Sequence, residues 1–265
     1  MRFQSLQSGS NGNASYIGTE RTHLLLDAGI SCKRITEGLQ HASICPDDLQ
    51  GILLTHEHAD HISGLFILSK KYGIPIYGTK GTLDGVREAD RNHCIDERLF
   101  HVIEKGVPFE IGDLLVNTAP VSHDARDPVA YRITDGHSCM ALMTDLGTYT
   151  EETIRFLSGV NGLLLESNHD IRMLEAGPYP YVLKRRILGD YGHLSNERCG
   201  TLLSQVLHPE LSFVFLGHLS EENNYPETAL LTVKQSVDYS DNEYHASDFD
   251  IRIASRREAS DIMTL

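Results

Sequence analysis

The sequence predicts an α/β fold in which β-sheets are covered by helices. Short β-type runs separated by turn signals occupy the first third of the chain, apolar strands alternate with helical stretches from Gly51 to Asp90, and strand patterns return in the middle. The 265 residues suit one large domain covering residues 1–265, because β-rich folds often reach about 200 to 250 residues undivided.

The expected elements are assigned in chain order, strands from apolar or alternating runs and helices from 3.6-residue periodicity. The expected strands are Arg2–Leu6, Ser15–Gly18, His23–Leu26, Gly51–Thr55, Ile74–Tyr77, Pro108–Ile111, Leu114–Ala119, Val129–Thr134, Cys139–Met143, Leu163–Leu165 and Phe213–Leu216. The expected helices are Cys32–Leu39, Gly64–Tyr72, Thr82–Asp90, Glu151–Leu157, Tyr181–Leu188 and Ser195–Leu207. Residues 238–265 begin with a polar and acidic stretch and are expected to form a tail or an edge strand through Ile251–Ala254.

The composition is typical of a globular protein, with 40% hydrophobic and 23% charged residues. Neither the first residues nor any later window resembles a secretion signal or a membrane span, which needs about 18 consecutive apolar residues. A cytoplasmic protein without a membrane partner is therefore expected. The five cysteines are scattered without a C-x-x-C pair, so we expect them to be reduced and to take no part in a zinc site.

The formal net charge of −14 disfavours non-specific attraction to a phosphate backbone, which requires lysine and arginine at the contact. A local basic patch can nevertheless coexist with an acidic chain, and carboxylates that bind metal ions are neutralised by them. The charge alone therefore does not decide the substrate.

The segment Thr55-His56-Glu57-His58-Ala59-Asp60-His61 is the strongest functional signal, and it directly follows an apolar strand. Side chains two apart on an extended chain point the same way, so His56 and His58 can ligate one ion together. Asp60 and His61, on the following turn, are expected to face a second ion. Because burying so many titratable groups at a strand end is costly without a metal, the spacing predicts a dinuclear site rather than ordinary histidines.

Two adjacent ions need further ligands from other strand ends, and the sequence provides them. His123 follows the apolar stretch Leu114–Val121, Asp145 follows the strand ending at Met143, and His218 follows Phe213–Leu216 and Gly217. The expected ligand sets are His56, His58 and His123 for one ion and Asp60, His61 and His218 for the other, with Asp145 bridging the two.

The chemistry expected of this site is hydrolysis. Two divalent ions about 3.5–4 Å apart can hold a bridging hydroxide and clamp the attacking and departing oxygens of an in-line displacement. We expect that hydroxide to be the nucleophile and Asp60 to orient it. Imidazole ligands favour zinc and carboxylates accommodate manganese, so the sequence leaves the choice between these two ions open.

The motifs His56-Glu57-His58-Ala59-Asp60-His61, Ser122-His123, Thr144-Asp145 and Gly217-His218 together resemble the metallo-β-lactamase superfamily. The resemblance spans roughly residues 1–220. It implies an αββα sandwich of two mixed β-sheets flanked by helices, with the metal ions at the rims of the sheets. Asp27 resembles the early aspartate of that superfamily, which forms hydrogen bonds to the loop that carries the histidines, here residues 55–61 and called the histidine loop.

Within that superfamily, the segments Ser8–Asn13, Leu165–Asp170 and Gly192–Ser195 resemble the YycJ/WalJ branch of bacterial proteins. This branch is similar to the RNase Z and RNase J nucleases, and the resemblance implies 5′→3′ exonuclease action on DNA, with RNA left open as the polymer. The chain has no room for the large inserted domain of RNase J. It also lacks a long protruding arm of the RNase Z kind, which disfavours tRNA processing.

His193 is expected to be catalytic, because a loop histidine just before a helix can contact a phosphoryl oxygen and supply a proton to the leaving group. It resembles the histidine that serves phosphodiester hydrolysis in RNase Z-like enzymes. The alternative is an ordinary loop histidine without a special role.

Substrate contacts are expected from two parts of the chain. The backbone N–H groups of the Ser10–Asn13 loop can surround a phosphate, although Asn-Gly is first of all a tight-turn signal. Basic and polar residues before His193 can contact a nucleic-acid backbone, although most such residues are simply solvated surface. The candidate substrate-binding residues are Ser10, Asn11, Asn13, His169, Lys184 and Arg185.

Two other functions remain open at this point. A small-molecule metallohydrolase acting on a cyclic phosphodiester, a lactone or a thioester would use the same ions and the same hydroxide. A metal-binding regulatory protein without catalysis is disfavoured by the complete ligand set, since a degenerate site would be expected to have lost a ligand.

Overall fold

The computed structural model describes residues 1–265 and contains two seven-stranded β-sheets with helices. The chain divides into two compact units. The first consists of Met1–Pro120, Ala125–Ser138 and Ser255–Leu265, and the second of Val121–Asp124 and Cys139–Ala254. The single domain expected from chain length stays a prediction. No helix is both long enough and apolar enough to cross a bilayer.

The first sheet lies in the first unit. Its strands are β1 (Arg2–Gln7), β2 (Ala14–Gly18), β3 (His23–Leu26), β4 (Leu49–Leu53), β5 (Ile76–Thr79), β6 (Phe100–Ile103) and β14 (Met263–Thr264). Their order is β14-β1-β2-β3-β4-β5-β6. The short turns after β1 and β2 make those pairs antiparallel, whereas helical crossovers make β3 to β6 parallel.

Four helices accompany this sheet: α1 (Cys32–His41), α2 (Ala59–Ile62), α3 (Leu65–Tyr72) and α4 (Lys80–Ala89). Side chains cap two of them, because Ser31 accepts a hydrogen bond from Arg34 N and Thr79 accepts one from Thr82 N. The apolar faces of α1, α3 and α4 pack into one core with residues of the sheet, including Ile35, Leu68 and Leu83. Leu54 and Ile62, which flank the histidine loop after β4, belong to the same core and so fix both ends of that loop.

The second sheet has the order β13-β12-β11-β10-β9-β8-β7. Within the first unit, β7 (Phe109–Ile111), β8 (Leu114–Pro120) and β9 (Val129–Thr134) are antiparallel. Within the second unit, β10 (Cys139–Met143), β11 (Gly162–Glu166), β12 (Phe213–Gly217) and β13 (Asp250–Ile253) are parallel. Strands β10, β11 and β12 are buried along their whole length, as expected of central parallel strands.

The helices of the second unit follow its strands. They are α5 (Glu151–Leu157), α6 (Ile171–Ala176), α7 (Tyr181–Leu188), α8 (Asn196–Ser204) and α9 (Pro226–Asp238). Because β10, β11 and β12 are parallel, the residues that follow them meet at one edge of the sheet. Asp145, Glu166 and His218 lie at this edge.

The strands and helices expected from the sequence are confirmed, with ends that move by a few residues. One shift affects the site: β4 ends at Leu53, so Thr55 belongs to the loop and not to the strand. Expectation and structure differ at α2, β6, α6, α9 and β14, which have no counterpart among the expected elements. Residues 238–265 contain β13 and β14.

Candidate functional site

The first unit holds the histidine loop, and the carboxylate of Asp27 accepts hydrogen bonds from it. Thr55 N donates to Asp27 Oδ1 at 2.9 Å, and the Thr55 hydroxyl donates to Asp27 Oδ2 at 2.9 Å. His61 Nδ1 lies 2.8 Å from Asp27 Oδ2. Asp27 reaches both residues because it leaves β3 with φ of +56°, a conformation that aspartate tolerates better than most residues.

Three imidazole rings crowd together on this loop. The ring centroid of His56 lies 4.6 Å from that of His58 and 4.1 Å from that of His61. His56 and His61 are buried, whereas His58 and Asp60 are half-buried. Asp60 Oδ2 lies 3.5 Å from His61 Nε2. The loop therefore brings three nitrogen donors and one carboxylate to one place within a single unit.

Backbone contacts hold this loop against two other segments of the first unit. Asn13 N donates to the carbonyl of Asp60, Ala28 N to that of His61, and Gly64 N to that of Ala28, each at 2.8 Å. The Asn13 side chain also donates toward His61 Nε2 at 3.1 Å. Asn13 thus lies beside the histidine loop.

Gly29 permits this close packing. A Cβ atom at Gly29 would lie 1.6 Å from the carbonyl oxygen of Asp60, which is backbone and cannot move aside alone.

We therefore expect Gly29→Ala to lower the free energy of unfolding by about 3 kcal/mol, as overpacking does. Gly73→Ala, where a Cβ meets open space at φ of +64°, should cost only about 1 kcal/mol for its backbone conformation. Denaturant unfolding of both variants measures the difference, and equal losses would contradict this packing.

The second unit holds a cluster of four ionisable residues. One ligand atom from each of Asp145, Glu166, His193 and His218 lies within 4.8 Å of the others. Three of them are buried, and the side chain of His193 is 18% exposed. Asp145 and His218 leave their strands with φ of +59° and +55°, so both are held in the left-handed region.

Glu166 is the centre of this cluster. Its Oε1 accepts from His193 Nδ1 and from His218 Nδ1, each at 2.8 Å. Its Oε2 accepts from the backbone N–H groups of Leu146 and Leu194, at 2.8 and 3.0 Å. Burial raises the pKa of Glu166, but the charges and hydrogen bonds of His193 and His218 outweigh it and bring the pKa to about 2. Glu166 is therefore an anion with four donors around it.

His123 lies beside this cluster. Its Nδ1 donates to the carbonyl of Gly192 at 3.3 Å, and its Nε2 lies 3.7 Å from Asp145 Oδ1. Burial lowers the pKa of His123, which favours the neutral ring that a metal requires.

The tautomers of four histidines fit a divalent ion. In each of them Nδ1 lies against an oxygen atom. His61 Nδ1 donates its proton to Asp27, and His218 Nδ1 donates its proton to Glu166. His123 Nδ1 donates to a backbone carbonyl, and His56 Nδ1 lies 3.0 Å from the Thr55 hydroxyl oxygen. An oxygen acceptor at Nδ1 fixes the proton there and leaves Nε2 as the unprotonated nitrogen, as in most metal-ligating histidines. The donor chemistry of both units therefore suits metal binding.

The residues suggested for substrate contact occupy different environments. Ser10 and Asn11 are exposed, whereas Asn13 and His169 are buried. Burial lowers the pKa of His169 to about 4. Lys184 Nζ donates to the carbonyls of Glu175 and Gly177, at 2.7 Å each, so its ammonium group is occupied at the end of α6. Their substrate roles stay predictions.

Sequence reasoning overlooked Glu166 and Thr55. Glu166 ends the apolar run Gly162–Leu165, at the same kind of position that identified Asp145 and His218. Applying that rule to every strand end would have found it. Thr55 carried no such signal, because its role depends on Asp27, which is distant in sequence.

Comparisons with known proteins show the family of the chain. A family model described as the β-lactamase superfamily domain matches residues 22–214. The exodeoxyribonuclease YycJ of Bacillus anthracis is 37% identical over 238 residues, 90% of this chain and 89% of its own. The exodeoxyribonuclease WalJ of Streptococcus pneumoniae is 37% identical over 240 residues, 91% of this chain and 89% of its own.

The solved structure of YhfI from Bacillus subtilis, a metallo-β-lactamase fold protein, is similar with a TM-score of 0.72. The two chains are 16% identical, and the likeness covers 98% of each. Identity at this level speaks for the fold alone. The αββα sandwich that the sequence implies is thereby confirmed.

Proposed function

This chain belongs to the β-lactamase superfamily, and we propose that it is a metal-dependent exodeoxyribonuclease that shortens DNA in the 5′→3′ direction. The observation that carries the proposal is the 37% identity, over 90% of the chain, to a protein named exodeoxyribonuclease. The clustering of imidazoles and carboxylates in both units supports the hydrolytic part of the proposal.

We propose that two divalent ions, zinc or manganese, are the cofactors. The ligands we assign to them are His56, His58, Asp60, His61, His123, Asp145 and His218, with Asp145 shared. When bound, such ions supply Lewis acidity that lowers the pKa of a water and offsets charge on phosphoryl oxygens. The fixed Nδ1 protons of four of these histidines support the assignment.

His193 is the proposed general acid. Its Nδ1–H is engaged by Glu166, so Nε2 is the nitrogen that can carry a second proton to the leaving oxygen. Its partial exposure, beside buried neighbours, supports contact with a substrate. Asp60, which is half-buried, is proposed to orient the attacking water through its carboxylate.

Glu166 acts through other residues and is a positioning residue. We expect Glu166→Gln to weaken metal binding by about 10- to 100-fold, because a carboxamide cannot accept two Nδ1–H bonds and two backbone N–H bonds as an anion does. Titration of metal into the chelator-stripped protein measures the affinity. The matched control is Glu152→Gln, an exposed carboxylate on α5, which should bind metal as the unchanged protein does. An unaltered affinity in Glu166→Gln would remove Glu166 from this role.

The activity itself is tested with purified protein that has been stripped by chelation and resupplied with zinc or manganese. The substrates are 5′-phosphorylated single-stranded DNA, duplex DNA, RNA and a small phosphodiester, each labelled at one end. We expect stepwise release of mononucleotides from the 5′ end of DNA only after metal is added. Hydrolysis of the small ester alone would assign the site to a small-molecule substrate, and degradation of RNA alone would change the polymer.

A further inference from the structure

Asn13 carries a buried amide between the turn that follows β1 and the histidine loop. The residue is only 6% exposed. Asn13 Oδ1 accepts from the backbone N–H of Gly9 at 3.0 Å, and Asn13 Nδ2 donates to the carbonyl of Gly9 at 3.1 Å. A backbone N–H can only donate and a carbonyl can only accept, so Gly9 fixes which end of the amide carries the protons. The amino group is the end that faces the histidine loop.

A second contact of this amino group reaches His61. Asn13 Nδ2 lies 3.1 Å from His61 Nε2. Because His61 Nδ1 donates its proton to Asp27 at 2.8 Å, Nε2 is the unprotonated nitrogen and accepts from Asn13. A neutral imidazole with its proton on Nδ1 has one accepting nitrogen, which is Nε2. The Asn13 amide therefore uses the lone pair through which His61 would bind an ion.

A divalent ion at His61 must displace this hydrogen bond, since metal binding requires the lone pair of a neutral imidazole. The displaced N–H has another acceptor nearby, because Asp60 Oδ2 lies 3.5 Å from Asn13 Nδ2. That contact is longer than the one to His61, so the exchange weakens the hydrogen bonding of a buried donor. Displacement is therefore possible, but it costs free energy.

The direction of this effect distinguishes Asn13 from Asp27. Asp27 accepts from Nδ1, the nitrogen that the ion does not use, and such a contact strengthens metal binding. Asn13 donates to Nε2, the nitrogen that the ion uses, and so opposes metal binding. Removal of a supporting contact weakens metal binding, whereas removal of a competing contact strengthens it. The two roles therefore give opposite results in the same experiment.

We propose that the Asn13 amide competes with a divalent ion for His61 Nε2 and lowers the affinity for that ion. The ion affected is the one assigned to Asp60 and His61, here called the second ion. The first ion, assigned to His56 and His58, keeps its affinity. Because a two-ion mechanism needs both ions, Asn13 sets the concentration of free metal at which the site becomes active. This inference rests on the proposed function, since it uses the ligands assigned there.

The test is titration of zinc into the chelator-stripped protein in competition with a fluorescent zinc chelator, which gives Kd for each of the two ions. Asn13→Leu keeps the approximate size of the side chain without its donor, and Asn13→Ala removes the amide altogether. We expect both variants to bind the second ion about 3- to 10-fold more tightly, the effect of one net hydrogen bond, with Kd of the first ion unchanged. The matched control is Asn92→Leu, at an exposed asparagine of the same unit, which should leave both Kd values unchanged.

A second measurement follows the folded state, because both variants also lose the hydrogen bonds to Gly9. Thermal unfolding with and without zinc gives the rise in Tm that metal binding causes. An ion that binds the folded chain more tightly stabilises it more. The rise in Tm should therefore be larger in both variants than in the unchanged protein, even where the stripped variants unfold at a lower temperature.

Unchanged or weaker binding of the second ion in either variant would overturn the competition and make Asn13 an ordinary support of the histidine loop. Failure of the unchanged protein to bind zinc would contradict the ligand assignment as well. The titration contains no DNA, so its result does not depend on turnover. Tighter zinc binding by variants of a protein that degrades no DNA would support the competition and contradict the proposed function alone.

Discussion

His193→Ala is expected to lower turnover on DNA by about 10²- to 10⁴-fold, the usual contribution of a general acid. Metal content should not change, because His193 is not among the assigned ligands. Its ring nevertheless shares Glu166 Oε1 with His218, so the variant tests a contact that reaches the metal ligands. Kinetics on 5′-phosphorylated DNA and elemental analysis of the same preparation separate the two effects.

The matched control for this variant is His208→Ala. His208 lies in the same unit, and its side chain is 19% exposed, against 18% for His193. It pairs with Glu210 and a backbone carbonyl outside the cluster, so its loss should leave turnover unchanged. Full activity in His193→Ala would remove this residue from the mechanism, and loss of metal from it would show that His193 holds the ion, either directly or through Glu166 and His218.

His58→Ala should also have a large effect, because it removes a proposed metal ligand. Loss of an ion that supplies several kcal/mol of charge stabilisation corresponds to a fall of about 10³-fold or more in hydrolysis. Metal content should fall with it. Elemental analysis after dialysis, and kinetics with excess zinc or manganese, measure both quantities.

The control for His58→Ala is His101→Ala on β6. His101 belongs to the same unit and stacks on Tyr77 at 4.9 Å between ring centroids. It should keep its metal and its activity. If His58→Ala retained both ions and hydrolysed DNA at the normal rate, His58 would not be a ligand.

Much of the fold can be predicted from the sequence, because buried strands and amphipathic helices leave strong local patterns. Strand β12 is apolar along its whole length, and α1 carries Ile35 and Leu39 four residues apart. Helix α9 is absent from the expected elements, although Pro226 in its first turn and the buried residues Ala229 and Val233 give a usable signal.

Elements that depend on distant partners cannot be predicted in this way. Helix α6 has only six residues, and it is capped at one end by Asp170 and bound at the other by Lys184 from α7. Strand β14 has two residues and exists through its pairing with β1. Neither has enough local periodicity to stand out.

The candidate site shows the same division. Histidines and aspartates that follow apolar strands, such as His218 and Asp145, can be identified one strand at a time. The hydrogen bonds that orient the side chains of the site cannot be identified in this way, because they join residues that are far apart in the sequence. Asp27 and Thr55 are 28 positions apart, and Glu166 and His218 are 52 positions apart. The sequence identifies donors, whereas their orientation depends on tertiary structure.

The left-handed backbone of Asp27, Asp145 and His218 has a consequence for evolution. Each of these residues costs about 1–2 kcal/mol relative to glycine, which adopts positive φ freely. Glycine would relieve this strain, but at Asp27 it would break the hydrogen bonds to Thr55 and His61, and at His218 it would break the one to Glu166. Backbone conformation and side-chain function therefore place opposite demands on sequence change at these three strand ends.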